Sequence, residues 1–246
     1  MDILSFLQTK WHSRRRIVAA LTQGTIIVNK KPVAHRKAIL APWDNVAYTD
    51  NNGAHSYTYD GEKPQYEVIL YNKPVGVVVS HDDKHNDTIF LELPPEWQKW
   101  YYYIGRLDKD SHWLVILTNN SKLVSYFSHP RNQWVKLYEI RTSWPLSKQD
   151  IKNGTQWVSY YEQDTGKHIT LQRDACKPIP QTENEYAVTL HAWKKRHIRR
   201  LCSVLGVSVL DLMRVQFWPW KLWNIELGQR ETISLSPWDV ESLLGS

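Results

Sequence analysis

The apolar residues follow two different spacings along the chain. Near the N-terminus they recur at helical spacing over residues 14–22, and Gly24 ends this segment. Beyond residue 65 they form short runs of β-branched and aromatic side chains bounded by turn-forming residues. Because strands outnumber helices and do not alternate regularly with them, the pattern predicts an α+β protein built on a mixed or antiparallel sheet. The predicted strands lie near residues 66–79, 100–104, 113–117, 137–142, 186–191, 213–217 and 230–235, and the predicted helices near residues 121–127 and 196–205.

The first turn of the N-terminal helix carries three consecutive arginines, Arg14, Arg15 and Arg16. They follow Ser13, a residue type that often caps a helix N-terminus. Exposed cations at this position oppose the helix dipole and cost about 0.3–1 kcal/mol each. Binding to phosphate groups gives a reason for their presence, and the alternative is an ordinary solvated charged face.

A short basic hairpin is predicted directly after this helix. Runs at residues 25–28 and 32–33 flank a turn that carries Lys30 and Lys31. Residues 1–40 hold eight basic side chains and one acidic one, a net charge of +7, whereas the rest of the chain sums to −1. A basic unit attached to a near-neutral body predicts a polyanion as the partner, with nucleic acid favoured over a membrane surface.

The chain is expected to fold as two domains of unequal size. Its 246 residues exceed the ~100–200 residues of an ordinary single domain. Residues 49–64 are rich in turn formers and lack apolar periodicity, which predicts an interdomain linker or one weak strand. We therefore expect a small basic domain with its linker at residues 1–60 and a larger domain at residues 65–246.

The composition is typical of a globular protein, with 42% hydrophobic and 23% charged residues. No run approaches ~18 apolar residues, and the charges at the N-terminus follow the apolar patch, so neither a membrane span nor a secretion signal is expected. Cys176 and Cys202 lie far apart without metal-binding or disulfide spacing, which fits a reducing cytoplasm. His81 and His85 stand beside carboxylates but lack a third ligand, so no metal is expected.

A polar segment, residues 105–112, separates two predicted strands and displays charged side chains on a rigid scaffold. Asp108 and Asp110 in this segment are suited to act as an acid and base pair of the glycosidase type. The alternative is a solvated turn in which both carboxylates pair with Arg106 and Lys109. Spacing alone favours the solvated turn.

Four motifs in a characteristic order, together with two stretches of the N-terminal part, connect the chain to one family. The N-terminal part carries Ser13-Arg14-Arg15 and the Val28-Asn29-Lys30 turn, and the remainder carries YNKPVG at 71–76, GRLDKDS at 105–111, HPRNQWVKLY at 129–138 and KKRHIRR at 194–200. This order resembles the bacterial ribosomal RNA pseudouridine synthases of the RsuA/RluB type, over nearly the whole chain. The N-terminal part is similar to that family's small alpha-L RNA-binding domain, a fold also found in a ribosomal small-subunit protein.

The resemblance implies an activity and assigns roles by position. The activity is the isomerisation of one uridine in ribosomal RNA to pseudouridine by a monomer, without metal or cofactor. Asp108 falls on the nucleophilic aspartate, Tyr138 on the tyrosine that stacks on the target base, and Arg199 on the arginine that pairs with the aspartate. His197 replaces a more usual glutamine. The side chains expected to bind RNA are Arg14, Arg15, Arg16, Lys30, Lys31, Arg106, Lys195 and Arg196.

Several tryptophans depart from the resemblance at positions where the family usually has glycine. Trp113 and Trp193 flank the catalytic and basic motifs, which supports a rival interpretation, a non-catalytic RNA-binding or ribosome-assembly protein with the same fold. A second hypothesis is that the source organism reads the UGA codon as glycine, so that these residues are glycines in the native protein. The affected positions are Trp43, Trp113, Trp144, Trp193, Trp218 and Trp223.

Overall fold

The computed structural model divides the chain into two compact units, Met1–Tyr66 with Asn119–Ser121, and Glu67–Thr118 with Lys122–Ser246. No helix among the described residues is long and apolar enough to cross a bilayer. The structure describes residues 1–10, 12, 14–50, 53–62, 66–153, 158–162, 167–171, 175–191, 194, 196–221 and 227–235.

The smaller unit packs two helices against an antiparallel sheet with the strand order β2-β1-β3-β4. Its core is apolar, and residues such as Ile3, Leu7, Ile17 and Val46 are fully buried. The elements are α1 (Ile3–Thr9), α2 (Arg14–Thr22), β1 (Ile26–Val28), β2 (Lys31–Pro32), β3 (Asn45–Asp50) and β4 (Gly53–Thr58).

The predicted N-terminal helix and hairpin are both present as α2 and β1–β2. Asn29 and Lys30 form the hairpin turn with φ values of 47° and 67°, the left-handed conformation that tight two-residue turns require. Within the segment at 49–64, residues 53–58 form β4, which pairs with β3 and corresponds to the weak strand that the sequence pattern allowed as the alternative to a linker. The sequence signal for this strand was weak, because its side chains alternate between exposed and half-buried positions and form no strong apolar face.

The larger unit is built on a nine-stranded mixed sheet with the order β11-β12-β8-β13-β7-β5-β15 and two side strands, β14 beside β13 and β6 beside β7. The β13–β7 pair is parallel and the other pairs are antiparallel. The α+β prediction is therefore confirmed. The strands are β5 (Val68–Lys73), β6 (Tyr102–Ile104), β7 (His112–Thr118), β8 (Lys136–Thr142), β11 (Ala175–Pro178), β12 (Glu185–Leu190), β13 (Val209–Phe217), β14 (Trp220–Lys221) and β15 (Thr232–Leu235).

Both faces of the central strands are buried. On β7, Val115 and Leu117 belong to one apolar cluster, while Leu114 and Ile116 belong to a second cluster. Alternate residues of a strand point to opposite faces, so this division places a core on each side of the sheet. A strand buried on both faces needs a continuous apolar run, which explains why the sequence pattern located β7.

The remaining elements are helices around the sheet and a separate hairpin. The predicted helices at 121–127 and 196–205 are confirmed as α4 and α6, whereas the hairpin β9–β10 and α5 were not foreseen. Their bounds are α3 (Trp97–Trp100), α4 (Ser121–Ser128), α5 (Lys148–Asn153), α6 (His197–Val204), β9 (Val158–Glu162) and β10 (Lys167–Leu171), with 3₁₀ turns at Ile89–Leu91 and Pro130–Asn132.

Candidate active site

The loop at residues 105–111 leaves β6 at Ile104, which pairs with β7, and it enters β7 at His112, which pairs with β13. Gly105 opens the loop with φ at +71°, and a Cβ there would lie 3.3 Å from the Phe217 ring. Glycine meets both requirements, a left-handed backbone and a close approach to the ring. A backbone hydrogen bond from Ser111 N to Asp108 O, at 3.1 Å, folds the loop into a turn.

A buried lysine anchors this loop through hydrogen bonds to backbone carbonyl groups. Lys73, the last residue of β5, is fully buried, and its Nζ donates to Pro74 O at 2.8 Å and to Ser111 O at 2.7 Å. Burial lowers the pKa of Lys73 to about 8, although Glu92, Asp110 and Asp108 oppose the shift. No role was assigned to Lys73 from the sequence. Its position directly after the apolar run VILYN was the signal that could have indicated a buried lysine.

Asp108 lies half-buried at the turn of the 105–111 loop. Burial raises the pKa of its carboxyl group, while Arg196, Arg199 and Arg106 act in the opposite direction. Among the described residues, no side chain forms a direct hydrogen bond or ion pair with this carboxylate. Its acceptor oxygens are therefore available to a substrate, within the field of three guanidinium groups.

Asp110 binds the two arginines of the C-terminal basic motif directly. Arg196 donates from Nη1 and Nη2 to the two oxygens of Asp110, at 3.1 and 2.8 Å. Arg199 Nε lies 3.2 Å from Asp110 Oδ2. Burial acts to raise the pKa of Asp110, but the hydrogen bond from Arg196 and the charge of Arg199 outweigh it, and the pKa is lowered.

The expected pair between Arg199 and Asp108 is not formed in the structure, because backbone acceptors direct the guanidinium elsewhere. Arg199 Nη1 donates to Val209 O at 2.7 Å, and its Nη2 donates to Asp110 O. These bonds place Nε beside Asp110. Arg199 therefore acts on Asp108 through its electric field.

Tyr138 and Arg214 form the buried wall next to this loop. Tyr138 is fully buried on β8, and burial raises its pKa to about 12, with the charge of Arg214 opposing the shift. Arg214 is 1% exposed and donates from Nε and Nη2 to Leu114 O, at 2.9 and 2.6 Å. The sequence prediction included Tyr138 but missed Arg214, whose position in the strand run VLDLMRVQF was the available indication.

A cavity of about 260 Å³ lies beside Tyr138 and Arg214. It is bounded by β8, β13, the end of α4 and the first residues of the 105–111 loop. The lining residues are Gly105, Arg106, Phe127, Ser128, His129, Gln133, Trp134, Lys136, Tyr138, His191, Arg214 and Phe217.

The predicted RNA-binding side chains fall into separate groups. Arg14, Arg15 and Arg16 are exposed in the first turn of α2, and Lys30 and Lys31 are exposed at the neighbouring hairpin turn. In the larger unit, Arg106 is exposed and Arg196 is bound to Asp110, while Lys195 lies outside the described residues.

Three potential metal ligands, His12, Asp50 and His55, meet in the smaller unit, with ligand atoms within 4.8 Å of one another. Hydrogen bonds already engage them. Tyr48 Oη contacts His12 Nδ1 at 2.5 Å and donates to Asp50 at 2.9 Å, and His55 Nε2 contacts Asp50 at 3.1 Å. Burial lowers the pKa of His12. Hydrogen bonding among these side chains therefore explains why they lie together, as a polar network.

Comparison with known proteins identifies the family. Residues 67–204 match the family model described as RNA pseudouridylate synthase. The dual-specificity RNA pseudouridine synthase RluF of Salmonella typhi is 30% identical over 217 residues, which cover 88% of this chain and 70% of the relative. The ribosomal large subunit pseudouridine synthase B of Yersinia pestis is 26% identical over 211 residues, which cover 83% and 63% of the two chains. A crystal structure of a pseudouridylate synthase, 18% identical, has the same fold with a TM-score of 0.64 over 99% of both chains. The chain therefore belongs to the RNA pseudouridylate synthase family and is an isomerase.

Proposed function

We propose that this enzyme converts uridine to pseudouridine in ribosomal RNA, with Asp108 as its catalytic residue. The observation that carries the proposal is the environment of Asp108, whose half-buried carboxylate has a pKa raised by burial and lies in the field of Arg106, Arg196 and Arg199, which favours its ionised form. The choice of ribosomal RNA is supported by a relative named as a ribosomal large subunit pseudouridine synthase.

The reaction rearranges bonds within the substrate and needs no oxidant or reductant. The bond from ribose C1′ to uracil N1 breaks, the detached base turns, and C1′ bonds to C5 instead. C5 loses a proton and N1 gains one, so atoms and charges balance. Asp108 acts in its ionised form as nucleophile or general base. Arg199 and Arg196, both anchored on Asp110, supply the positive field that favours this form.

The target base must leave its stack to reach a buried site, so single-stranded or loop RNA is the favoured substrate. Tyr138, which lines the cavity, is expected to contact the extruded base. The exposed cations Arg14, Arg15 and Arg16 are expected to bind RNA phosphates without regard to sequence. We expect the enzyme to act as a monomer in the cytoplasm.

The proposal is tested by incubating ribosomal RNA fragments with the wild-type protein and with Asp108→Asn, then measuring pseudouridine by mass spectrometry. The variant keeps the shape of the side chain but loses the nucleophile or base, so pseudouridine formation should vanish while RNA affinity changes only a few-fold. Asp82→Asn, at an exposed aspartate, is the matched control and should retain full activity. A wild-type protein that binds RNA but forms no pseudouridine would instead indicate a non-catalytic RNA-binding protein.

A further inference from the structure

The cavity beside Tyr138 combines aromatic walls with positive charge. Phe127 packs against two other aromatic rings of the wall, with centroid distances of 5.2 Å to Trp134 and 6.5 Å to Phe217. None of the described residues that line the cavity is acidic, and its basic groups are Arg106, His129, Lys136, His191 and Arg214. Such a lining suits a flat ring that carries hydrogen-bond acceptors.

Lys136 supplies a donor at this wall. Its Nζ lies 4.7 Å from the centroid of the Phe217 ring and donates to Trp134 O at 2.9 Å. This is its one hydrogen bond within the described part of the chain, and an ammonium group has three N–H donors. Burial lowers the pKa of Lys136 to about 8, and the nearby charge of Arg214 acts in the same direction. A poorly hydrated cation with unused donors binds a carbonyl oxygen strongly.

Lys136 also lies on the same side as the catalytic groups. Lys136 and Tyr138 are two residues apart on β8 and therefore point to the same face of the sheet, and both line the cavity. The cavity extends to Gly105 and Arg106, the residues that precede Asp108 in the 105–111 loop. A ring held in the cavity is thus next to the segment that carries the catalytic carboxylate.

We propose that this cavity receives the target uracil and that Lys136 donates a hydrogen bond to one of its ring carbonyl oxygens. The inference rests on the proposed function and adds a specificity-determining residue to it. Lysine has donors and no acceptor, so it favours a base that presents carbonyl oxygens. At position 4 of the ring, it would distinguish uracil, which has an oxygen there, from cytosine, which has an amino donor.

The test uses one ribosomal RNA stem-loop with uridine, 2-thiouridine or 4-thiouridine at the target position. Sulfur accepts hydrogen bonds less well than oxygen, so the wild-type enzyme should lose kcat/KM with the analogue that alters the contacted carbonyl. Lys136→Met keeps the side chain over Phe217 but removes the donor. It should lower kcat/KM for uridine by roughly 10- to 100-fold, the effect of losing a charged hydrogen bond. It should also abolish the thio penalty, by which we mean the loss of kcat/KM when sulfur replaces the contacted oxygen.

Two further variants separate the hydrogen bond from a general disturbance. Lys136→Arg retains a charged donor and should restore discrimination against the thio analogue. Lys148→Met, at an exposed lysine on α5, should behave as the wild type. Thermal unfolding midpoints of all variants should agree with this control, since Lys136→Met preserves the packing volume.

The pH profile gives an independent readout. The wild-type kcat/KM for uridine should fall above about pH 8 as Lys136 loses its proton, and Lys136→Arg should remove this fall. The other titratable groups lining the cavity are unchanged in that variant, so a fall that persists belongs to them and not to Lys136. They are Arg106, His129, Tyr138, His191 and Arg214.

The outcomes distinguish the inference from the proposed function. An active wild-type enzyme with the same thio penalties in Lys136→Met overturns the role of Lys136 and leaves the proposed function intact. A wild-type protein that modifies no ribosomal RNA fragment contradicts the proposed function, and the inference with it. Loss of one thio penalty in Lys136→Met supports both.

Discussion

Two carboxylates only two residues apart in the 105–111 loop experience opposite environments. Burial raises the pKa of Asp108, whereas the arginines bound to Asp110 lower the pKa of Asp110. Asp110 is the carboxylate that forms the direct ion pairs, so Asp108 keeps its oxygens accessible. From the sequence, both aspartates were candidates for an acid and base pair. In the folded protein Arg196 and Arg199 bind Asp110, which identifies Asp110 as the anchoring carboxylate and leaves Asp108 as the candidate catalytic one.

The field of Arg199 leads to a prediction about pH. Removal of this cation in Arg199→Ala takes away an interaction that favours ionised Asp108, so the pKa of Asp108 rises further. If ionised Asp108 is required, the acidic limb of the kcat/KM profile moves to higher pH and the maximal rate falls strongly. The profile of Arg141→Ala, at an exposed arginine on β8, should match the wild type. An acidic limb that stays in place in Arg199→Ala would contradict the assignment.

Two of the six unusual tryptophans adopt a backbone conformation that favours glycine. Trp43 has φ at +71° and Trp113 has φ at +78°. The indole N–H of Trp113 is also buried and finds no acceptor among the described residues. Trp144 and Trp218 do not share the positive φ, and Trp193 and Trp223 lie outside the described residues. The backbone at Trp43 and Trp113 fits the hypothesis that UGA codons were read as tryptophan, whereas the backbone at Trp144 and Trp218 gives it no support.

Trp43 allows the cleanest measurement of this strain, because its side chain is 75% exposed and contributes little packing. Trp43→Gly should raise the free energy of unfolding by about 1 kcal/mol, since a non-glycine residue in the left-handed region costs roughly 1–3 kcal/mol and the added chain flexibility offsets part of the gain. Trp144→Gly, at a tryptophan 71% exposed but without positive φ, should give no gain. Peptide masses of the native protein that show tryptophan at these positions would end the codon hypothesis.

Whole elements were predictable where burial imposes a pattern on the sequence. The central strands β5 and β7 are buried on both faces, so their apolar runs are continuous and visible. The strand β4 has an exposed and half-buried face, and its polar residues resembled a linker. The residues of the candidate site also divide into those that the sequence revealed and those that it did not. Asp108 and Tyr138 were found from motifs, but the anchoring of Lys73 depends on carbonyl groups 1 and 38 residues away along the chain, which no local pattern reveals.

The residues in the first turn of α2 are unfavourable for the stability of that helix. Arg14, Arg15 and Arg16 are exposed there, and the structure gives α2 no acidic residue in its first turn to compensate for them. Cations at a helix N-terminus are unfavourable. Their replacement by alanine removes this unfavourable interaction with the helix dipole, and thermal unfolding of the variant beside the wild type separates any change in stability from a change in RNA binding.

At the scale of the whole molecule, positive charge is concentrated in the first 40 residues, whereas the proposed catalytic groups belong to the larger unit. The triple variant Arg14→Ala, Arg15→Ala, Arg16→Ala should therefore raise KM for RNA and leave kcat unchanged at saturating substrate. Affinity should weaken for all RNA sequences, with the log–log salt dependence reduced by roughly 0.7–0.9 for each phosphate group that the variant no longer binds. A control that replaces three exposed lysines of the larger unit, Lys84, Lys148 and Lys177, removes the same charge elsewhere and should retain the slope. An unchanged slope in the arginine variant would show that these side chains are only solvated, and a fall in kcat would show that they take part in more than phosphate binding.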